Sequence, residues 1–411
     1  MSNKFKYRCT DCSQEYEGNQ TLYLCPQCSA THNPNTAPKG VLKTVYPYRE
    51  IKRKHPNFLS LKENGFLDVL PIQHLQSLPN LRVGQTPLYA CKSLDGKDLT
   101  FQLFLKDDAQ NPTFSFKDRA SAVVSAYAKE QGFDTIVAAS TGNAGSSLAG
   151  LCAAQGQKAI IMVPETAPLA KLTQIILYGA TIIPVTGTYD DAFDLSIQAT
   201  EEFGWYNRNT AFNPFTIEGK KTVSYELFDQ MQQHIPDRIF VPVGDGVIIS
   251  GVYKGFEDLL ELGYINQMPI IVMVQSEGSD NLVRNMETSD FEIKPSTTLA
   301  DSISVDIPRN FYMAKQFIQK YKGEFLTVSD LEILDASQIL SRNTGLFAEP
   351  AAATAFAGML AYQHQNKLPS DSKNVVLLTG SGLKDLKSVQ PLLNIPVAIP
   401  PDLDSLKKFL A

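Results

Sequence analysis

The stretch DTIVAASTGNAGSSLAGLCAAQGQKAIIMVP, residues 134–164, decides the fold. DTIVAAS (134–140) is an apolar run of strand length, and SSLAGLCAAQG reads as a helix stopped by Gly156. KAIIMVP follows as a second strand. Working toward the C terminus, AKLTQIILYG is a helix ending at Gly179 and ATIIPVTG is a strand. DDAFDLSIQATEEFG is a helix with Asp190 and Asp191 at its positive end. The rhythm resumes with RIFVPV, GVYKGFEDLLELG, PIIVMVQSEG and NVVLLTG. Strands alternating with helices of roughly 10–15 residues predict an α/β fold with a mostly parallel sheet covered on both faces.

In such sheets ligands collect where strand ends feed helix N-termini. Three loops qualify: residues 140–146, 244–249 and 379–382. The first, STGNAGSS, and the second, VGDGVIISG, carry small residues whose backbone N–H groups can face an anion. The third, LLTGSGLKD, offers the hydroxyls of Thr379 and Ser381.

At 411 residues the chain has room for roughly two to three domains. A hydrophobic share of 43% with 19% charged residues is ordinary for a globular protein. The net charge of −6 argues against a nucleic-acid or anionic-membrane partner. The N-terminal MSNKFKYRCTDC has no apolar segment of signal-peptide type, and no run of about 18 apolar residues appears, so a soluble cytoplasmic protein is expected.

Four of the six cysteines lie in the first 28 residues: Cys9, Cys12, Cys25 and Cys28 form two Cys-x-x-Cys knuckles twelve residues apart. Four thiolates match tetrahedral zinc, and a closed site of this kind is structural, with no open position for catalysis. The segment is too short for its own core, so the metal would supply folding energy. Residues 29 to about 47, rich in Pro, Asn and Thr, read as a linker. The five histidines fall in no metal-like spacing, and Cys152 and Trp205 read as packing residues.

NPTFSFKDRA (111–120) sets Lys117 among Phe114, Phe116 and Asp118. Read alone, it is a helix-leading lysine paired with Asp118. A lysine that forms a Schiff base instead needs an apolar, partly desolvated setting so that free amine exists near pH 7. Two anion-competent loops, such a lysine and a terminal hydroxyl are the parts that hold pyridoxal phosphate.

In order along the chain, NPTFSFKDRA, ASTGNAGSS, NPFTIEGKKT, VPVGDGVIISGVYKGF, GLFAEPAAATAFAGM and LLTGSGLKD resemble the signatures of threonine synthases, over about residues 80 to 390. These are pyridoxal-phosphate enzymes of fold type II, the tryptophan-synthase-β-like group. Some archaeal threonine synthases and cysteate synthases carry a similar N-terminal cysteine module. The resemblance implies two three-layer α/β/α domains with mostly parallel sheets plus a small zinc ribbon. Residues 1–35 would be the ribbon, 36–114 the linker and first part of the large domain, 115–207 the small domain and 208–411 the rest of the large domain. It implies that Lys117 carries the cofactor and serves as base at the substrate Cα. Asn143 would bond the cofactor's 3′-oxygen, and the amides of Ser140, Thr141, Gly142 and Asn143 would hold the substrate carboxylate. Gly244, Asp245, Gly246, Val247 and Ile248 would cradle the cofactor phosphate in a backbone nest. Thr379 would meet the pyridine nitrogen with a neutral hydroxyl, which favours elimination and replacement over transamination. Glu349 is expected near the ring without an assigned role. A homodimer acting on a small amino acid is implied.

The sequence also departs from that pattern. Phe114 replaces the glycine of NPTGSFKDR, and GDGVI puts Asp245 in the phosphate loop. Ala144 and Thr216 stand where the family has the threonine and arginine that bind the phosphate of O-phosphohomoserine. Charge-assisted phosphate contacts contribute roughly 1.5–3 kcal/mol each, so their loss raises a rival: an ammonia-lyase or β-replacing synthase on an unphosphorylated amino acid. Lys220, Lys221 and Arg309 are the candidates to compensate. A non-catalytic ribbon docking protein is the reading from another class; the ribbon lacks a basic stripe with interleaved aromatics.

Overall fold

The computed structural model describes residues 4–30, 36–288 and 291–411; His32 and the rest of the 31–35 stretch lie outside them. The alternation centred on 134–164 folds as a four-stranded parallel sheet in the order β8-β7-β6-β9. Its strands are β6 (Thr135–Ala139), β7 (Lys158–Pro164), β8 (Thr181–Val185) and β9 (Tyr206–Asn207). The expected helices lie between them, at Asn143–Gln155, Leu169–Leu177 and Tyr189–Phe203. Gly156 ends the first in the left-handed conformation, φ +70°, which suits a residue without Cβ. Thr188 and Asp191 start the last with a reciprocal capping box.

A second sheet has the order β12-β11-β10-β13-β5-β4. It contains β4 (Leu88–Leu94), β5 (Lys97–Asp107), β10 (Arg238–Pro242), β11 (Ile270–Ser276), β12 (Glu324–Val328) and β13 (Lys373–Leu378). Only β4 runs antiparallel, so the sheet is mostly parallel. The runs FVP and VVLL are buried throughout, as strands covered on both faces must be. Between β5 of this sheet and β6 of the other the chain forms the helix Lys117–Glu130, buried from Asp118 to Ala128. Its Ala and Ser residues let neighbouring backbones come close. Gly219 meets it so tightly that a Cβ there would collide with the Arg119 carbonyl.

The N-terminal module is a third sheet, β2-β1-β3, of β1 (Lys6–Cys9), β2 (Glu15–Glu17) and β3 (Leu42–Val45). Residues 42–45 are therefore a ribbon strand, contrary to the linker expected over 29–47; alternate residues Leu42 and Thr44 are buried, which the Pro- and Asn-rich flanks hid. Phe5 and Tyr7 pack on Phe215, with ring centroids 5.5 and 5.8 Å apart, so the module shares the main core. His55, also buried, is bonded to Ser60 (3.0 Å) and Asp68 (2.7 Å), and Cys152 is fully buried core.

Candidate active site

Lys117 opens its helix, and its neighbours in the motif are all committed elsewhere. Asp118 accepts from the Thr113 amide (2.7 Å) and hydroxyl (2.5 Å), closing the turn before the helix. Arg119 pairs with Asp108 (2.5 Å) and Glu226 (2.6 Å). Lys117 itself makes no hydrogen bond or ion pair among the described residues, so it is not Asp118's partner. Burial depresses its pKa below the usual lysine value; Arg208 adds to this, while Asp245 and Glu349 oppose it.

Three loops are tied together here. The Phe116 N–H donates to the Thr379 carbonyl (2.8 Å), the Ser381 N–H to Phe114 (3.1 Å) and the Glu349 N–H to Gly380 (3.0 Å). Gly380 lies so close to the Glu349 carboxylate that an added Cβ would strike it. Thr379, almost buried at 6% exposure, is thus fixed beside Lys117. Asn143 begins its helix and donates through Nδ2 to both Glu349 oxygens (2.9 and 3.0 Å) and to Ser302 (3.2 Å). Of the four backbone amides expected to face a carboxylate, Ser140's donates to Met162 (3.2 Å) and Gly142's to the Ser140 hydroxyl (3.3 Å). Those of Thr141 and Asn143 stay at the helix start without such partners among the described residues.

The loop 244–248 runs into the helix Val247–Glu261, with Gly246 at φ +87°. Asp245 turns its carboxylate back to accept from the Val247 N–H (3.0 Å), as a cap of the first turn. Near it lie two buried cations. Arg208 follows β9, with Nε bonded to Ser121 (3.2 Å) and Nη1 to Thr210 (2.9 Å). Among the described residues its Nη2 has no hydrogen-bond partner, and neither does Nζ of Lys220. Burial holds Arg208 down to about 10 and Lys220 well below its usual value, Lys117 and Arg208 lowering Lys220 further.

Lys221 and Arg309 are not free to take a substrate phosphate. Lys221 Nζ is 2.5 Å from Glu218 and 2.7 Å from Asp258, and Arg309 pairs with Asp190 over the Phe193 ring. The Thr216 hydroxyl is buried and spent on the Asn213 carbonyl (2.8 Å). An open cleft of about 500 Å³ leads in past Phe114, Thr141, Asn143, Ser302, Glu349 and Lys384.

Residues 80–380 match the family described as pyridoxal-phosphate dependent enzyme. The chain belongs to the pyridoxal-phosphate dependent enzymes. It is 34% identical over 411 residues to the threonine synthase of Methanocaldococcus jannaschii, covering 98% of each chain. To that of Methanosarcina acetivorans it is 30% identical, covering 99% of this chain and 98% of the other. Among solved structures, maize serine racemase superposes with a TM-score of 0.64 at 24% identity, over 73% of this chain and 88% of that one. Threonine deaminase isoform 2 from Solanum lycopersicum gives 0.66 at 21%, over 81% and 93%. The fold is thus the fold-type-II α/β architecture that the motifs implied.

The pyridoxal-phosphate family chemistry suits what is present: an unpartnered amine, a helix N-terminus for an anion, and unsatisfied buried cations beside it. The resemblance had not pointed to Arg208. Its one signal is its place at the carboxyl end of a parallel strand, where ligands gather. Ser302 and Lys384 were also missed; Lys384 lies in the quoted LLTGSGLKD, and its Nζ reaches Ser146 (2.8 Å) and Gln174 (2.5 Å) across the cleft.

The four thiols of Cys9, Cys12, Cys25 and Cys28 lie within 4.8 Å of one another, with Cys9–Cys28 and Cys12–Cys25 at 3.8 Å. A tetrahedron of about 2.3 Å Zn–S bonds has edges of about 3.8 Å.

Proposed function

We propose that this pyridoxal-phosphate enzyme converts a small amino acid by elimination or replacement at Cβ or Cγ, with threonine formation from O-phosphohomoserine as the reading best supported. The observation that carries it is whole-length likeness: the two archaeal threonine synthases match across 98% of their own length, the N-terminal module included. Lys117 would hold the cofactor through Nζ, Thr379 would meet its ring nitrogen and Asn143 its 3′-oxygen. The loop 244–248 would receive its phosphate. When bound, the cofactor withdraws electron density from the substrate's Cα, so that the proton there becomes acidic.

The chain's own groups do the rest. Nζ of Lys117, neutral more readily than an exposed lysine, takes and returns the proton at Cα. The amides of Thr141 and Asn143, with the helix dipole behind them, orient the substrate carboxylate. The buried Glu349 fixes the Asn143 amide, and both line the cleft. Cys9, Cys12, Cys25 and Cys28 would hold a structural zinc; the sulfur spacing supports this. A homodimer working in the cytoplasm completes the reading.

The rival, an ammonia-lyase or β-replacing synthase on an unphosphorylated amino acid, is favoured by Ala144 and by the buried, satisfied Thr216. Phosphate release from O-phosphohomoserine, assayed beside keto-acid and ammonia release from serine, threonine and diaminopropionate, separates them. Threonine and phosphate in equal amounts are expected; no phosphate release at saturating cofactor removes the threonine synthase reading.

A further inference from the structure

Lys220 and Lys221 are consecutive, both wholly buried, and treated in opposite ways. Lys221 is held by the carboxylates of Glu218 and Asp258 at 2.5 and 2.7 Å. Lys220 has no hydrogen-bond partner at Nζ among the described residues. Its side chain packs on Gly251, in the first turns of the helix Val247–Glu261, where any Cβ would crowd it. Among the described residues Arg208 likewise bonds to no carboxylate: two of its nitrogens meet hydroxyls and Nη2 has no hydrogen-bond partner. Lys220 feels the charges of Lys117 and Arg208, and Asp245 acts on both Lys220 and Arg208, the latter also within reach of Asp118.

A buried amine and a buried guanidinium nitrogen left without hydrogen-bond partners beside one helix N-terminus are costly in isolation and call for an anion. Asp245 is not enough: its carboxylate is turned onto the Val247 amide and bonds to neither Lys220 nor Arg208 among the described residues. A cradle built only of amides would repel a phosphate once Asp245 stood in it. The cations reverse that sign. Neither Arg208 nor Lys220 lines the open cleft, so a substrate phosphate arriving by that route does not meet them, whereas a resident group can be this deeply enclosed.

We infer that Nζ of Lys220 and Nη2 of Arg208 neutralise a phosphate monoester dianion held at the N-terminus of the helix Val247–Glu261, and that this phosphate is the cofactor's own. The inference rests on the placement of the cofactor at Lys117 proposed above, and deepens it by adding charge to a backbone nest.

The test is an absorbance titration of the apoprotein with pyridoxal 5′-phosphate and, separately, with pyridoxal, which lacks the phosphate. Lys220→Gln and Arg208→Gln are each expected to weaken pyridoxal 5′-phosphate by about tenfold or more, the size of a lost charge-assisted contact, while pyridoxal changes less than about twofold. Adding Asp245→Asn to Lys220→Gln should restore part of the loss, because it removes the charge that Lys220 offsets. Circular dichroism checks each fold; where Lys220→Gln fails to fold, Lys220→Arg is titrated instead and should keep the preference for the phosphorylated ligand. Equal weakening of both ligands, or of neither, overturns the inference. So does a variant that binds the cofactor normally but loses affinity for O-phosphohomoserine. A wild-type protein that binds neither pyridoxal compound defeats the placement at Lys117 instead.

Discussion

Asn143 and Glu349 are 206 residues apart in the chain, yet the Asn143 side-chain amide donates to both carboxylate oxygens at 2.9 and 3.0 Å. The contact joins the small parallel sheet to the large one across the cleft. Burial raises the Glu349 pKa above the usual carboxylate range, while the Asn143 bonds and Lys117 work against that rise. Asn143→Ala should therefore destabilise the apoprotein by about 1–3 kcal/mol, read by chemical denaturation at neutral pH. An acid whose folded pKa is raised gains stability as pH falls through that value, because the folded state takes up the proton first. The deficit of Asn143→Ala should accordingly narrow on acidification; a deficit that does not change with pH would count against a charged Glu349 as its cause.

Lys117 makes no hydrogen bond or ion pair among the described residues, so its removal costs the fold little. Lys117→Ala should abolish turnover while keeping or slightly raising the apoprotein's melting temperature. Borohydride reduction of the wild type, followed by peptide mapping, should place the adduct on Lys117.

Phe114 sits at φ +68° with 50% of its surface exposed, at a position where the family uses glycine. A left-handed conformation costs a residue with Cβ roughly 1–2 kcal/mol. Phe114→Gly should thus be more stable than Phe114→Ala by about 1 kcal/mol in denaturant midpoints, because alanine keeps the strain. Equal stabilities would mean that the turn relaxes around any side chain.

The cysteine module is packed onto the main core through Phe5, Tyr7 and Tyr23, whose ring lies 4.6 Å from Phe212. Elemental analysis should find one zinc per chain. Chelation, or Cys12→Ser, should remove it and lower the melting temperature by several degrees, since metal binding adds to the folding free energy of so short a module. Metal-free protein with unchanged melting would show that the aromatic contacts suffice.

Glu226 is the hub of a buried pair set, 2.6 Å from Arg119 and 2.8 Å from Lys106. Burial alone would raise its pKa, but Arg119 and then Lys106 hold it at about 2, below the usual 4.5. A depressed carboxylate stabilises above its unfolded pKa, and that contribution is lost as pH falls from about 4.5 toward 2. It is worth on the order of 3 kcal/mol. Glu226→Gln should flatten the acid limb of the stability profile by a similar amount.

By itself the sequence determined the strand–helix rhythm, the knuckles Cys9–Cys12 and Cys25–Cys28, and Lys117 with its three loops, because periodicity, turn residues and motif spacing are local. It also showed that Phe114, Asp245, Ala144 and Thr216 break the family pattern. What only the tertiary structure decided is which charges are satisfied. Lys220 and Lys221 read alike in EGKKT, and nothing nearby in sequence separates them; Asp258, which claims Lys221, comes from another helix. Arg208 and Glu349 gained their surroundings in the same way, through loops brought together by β6, β9, β10 and β13. The free energy of a buried charge depends on neighbours within a few ångströms in space, and those neighbours are fixed by chain crossings that no local pattern encodes.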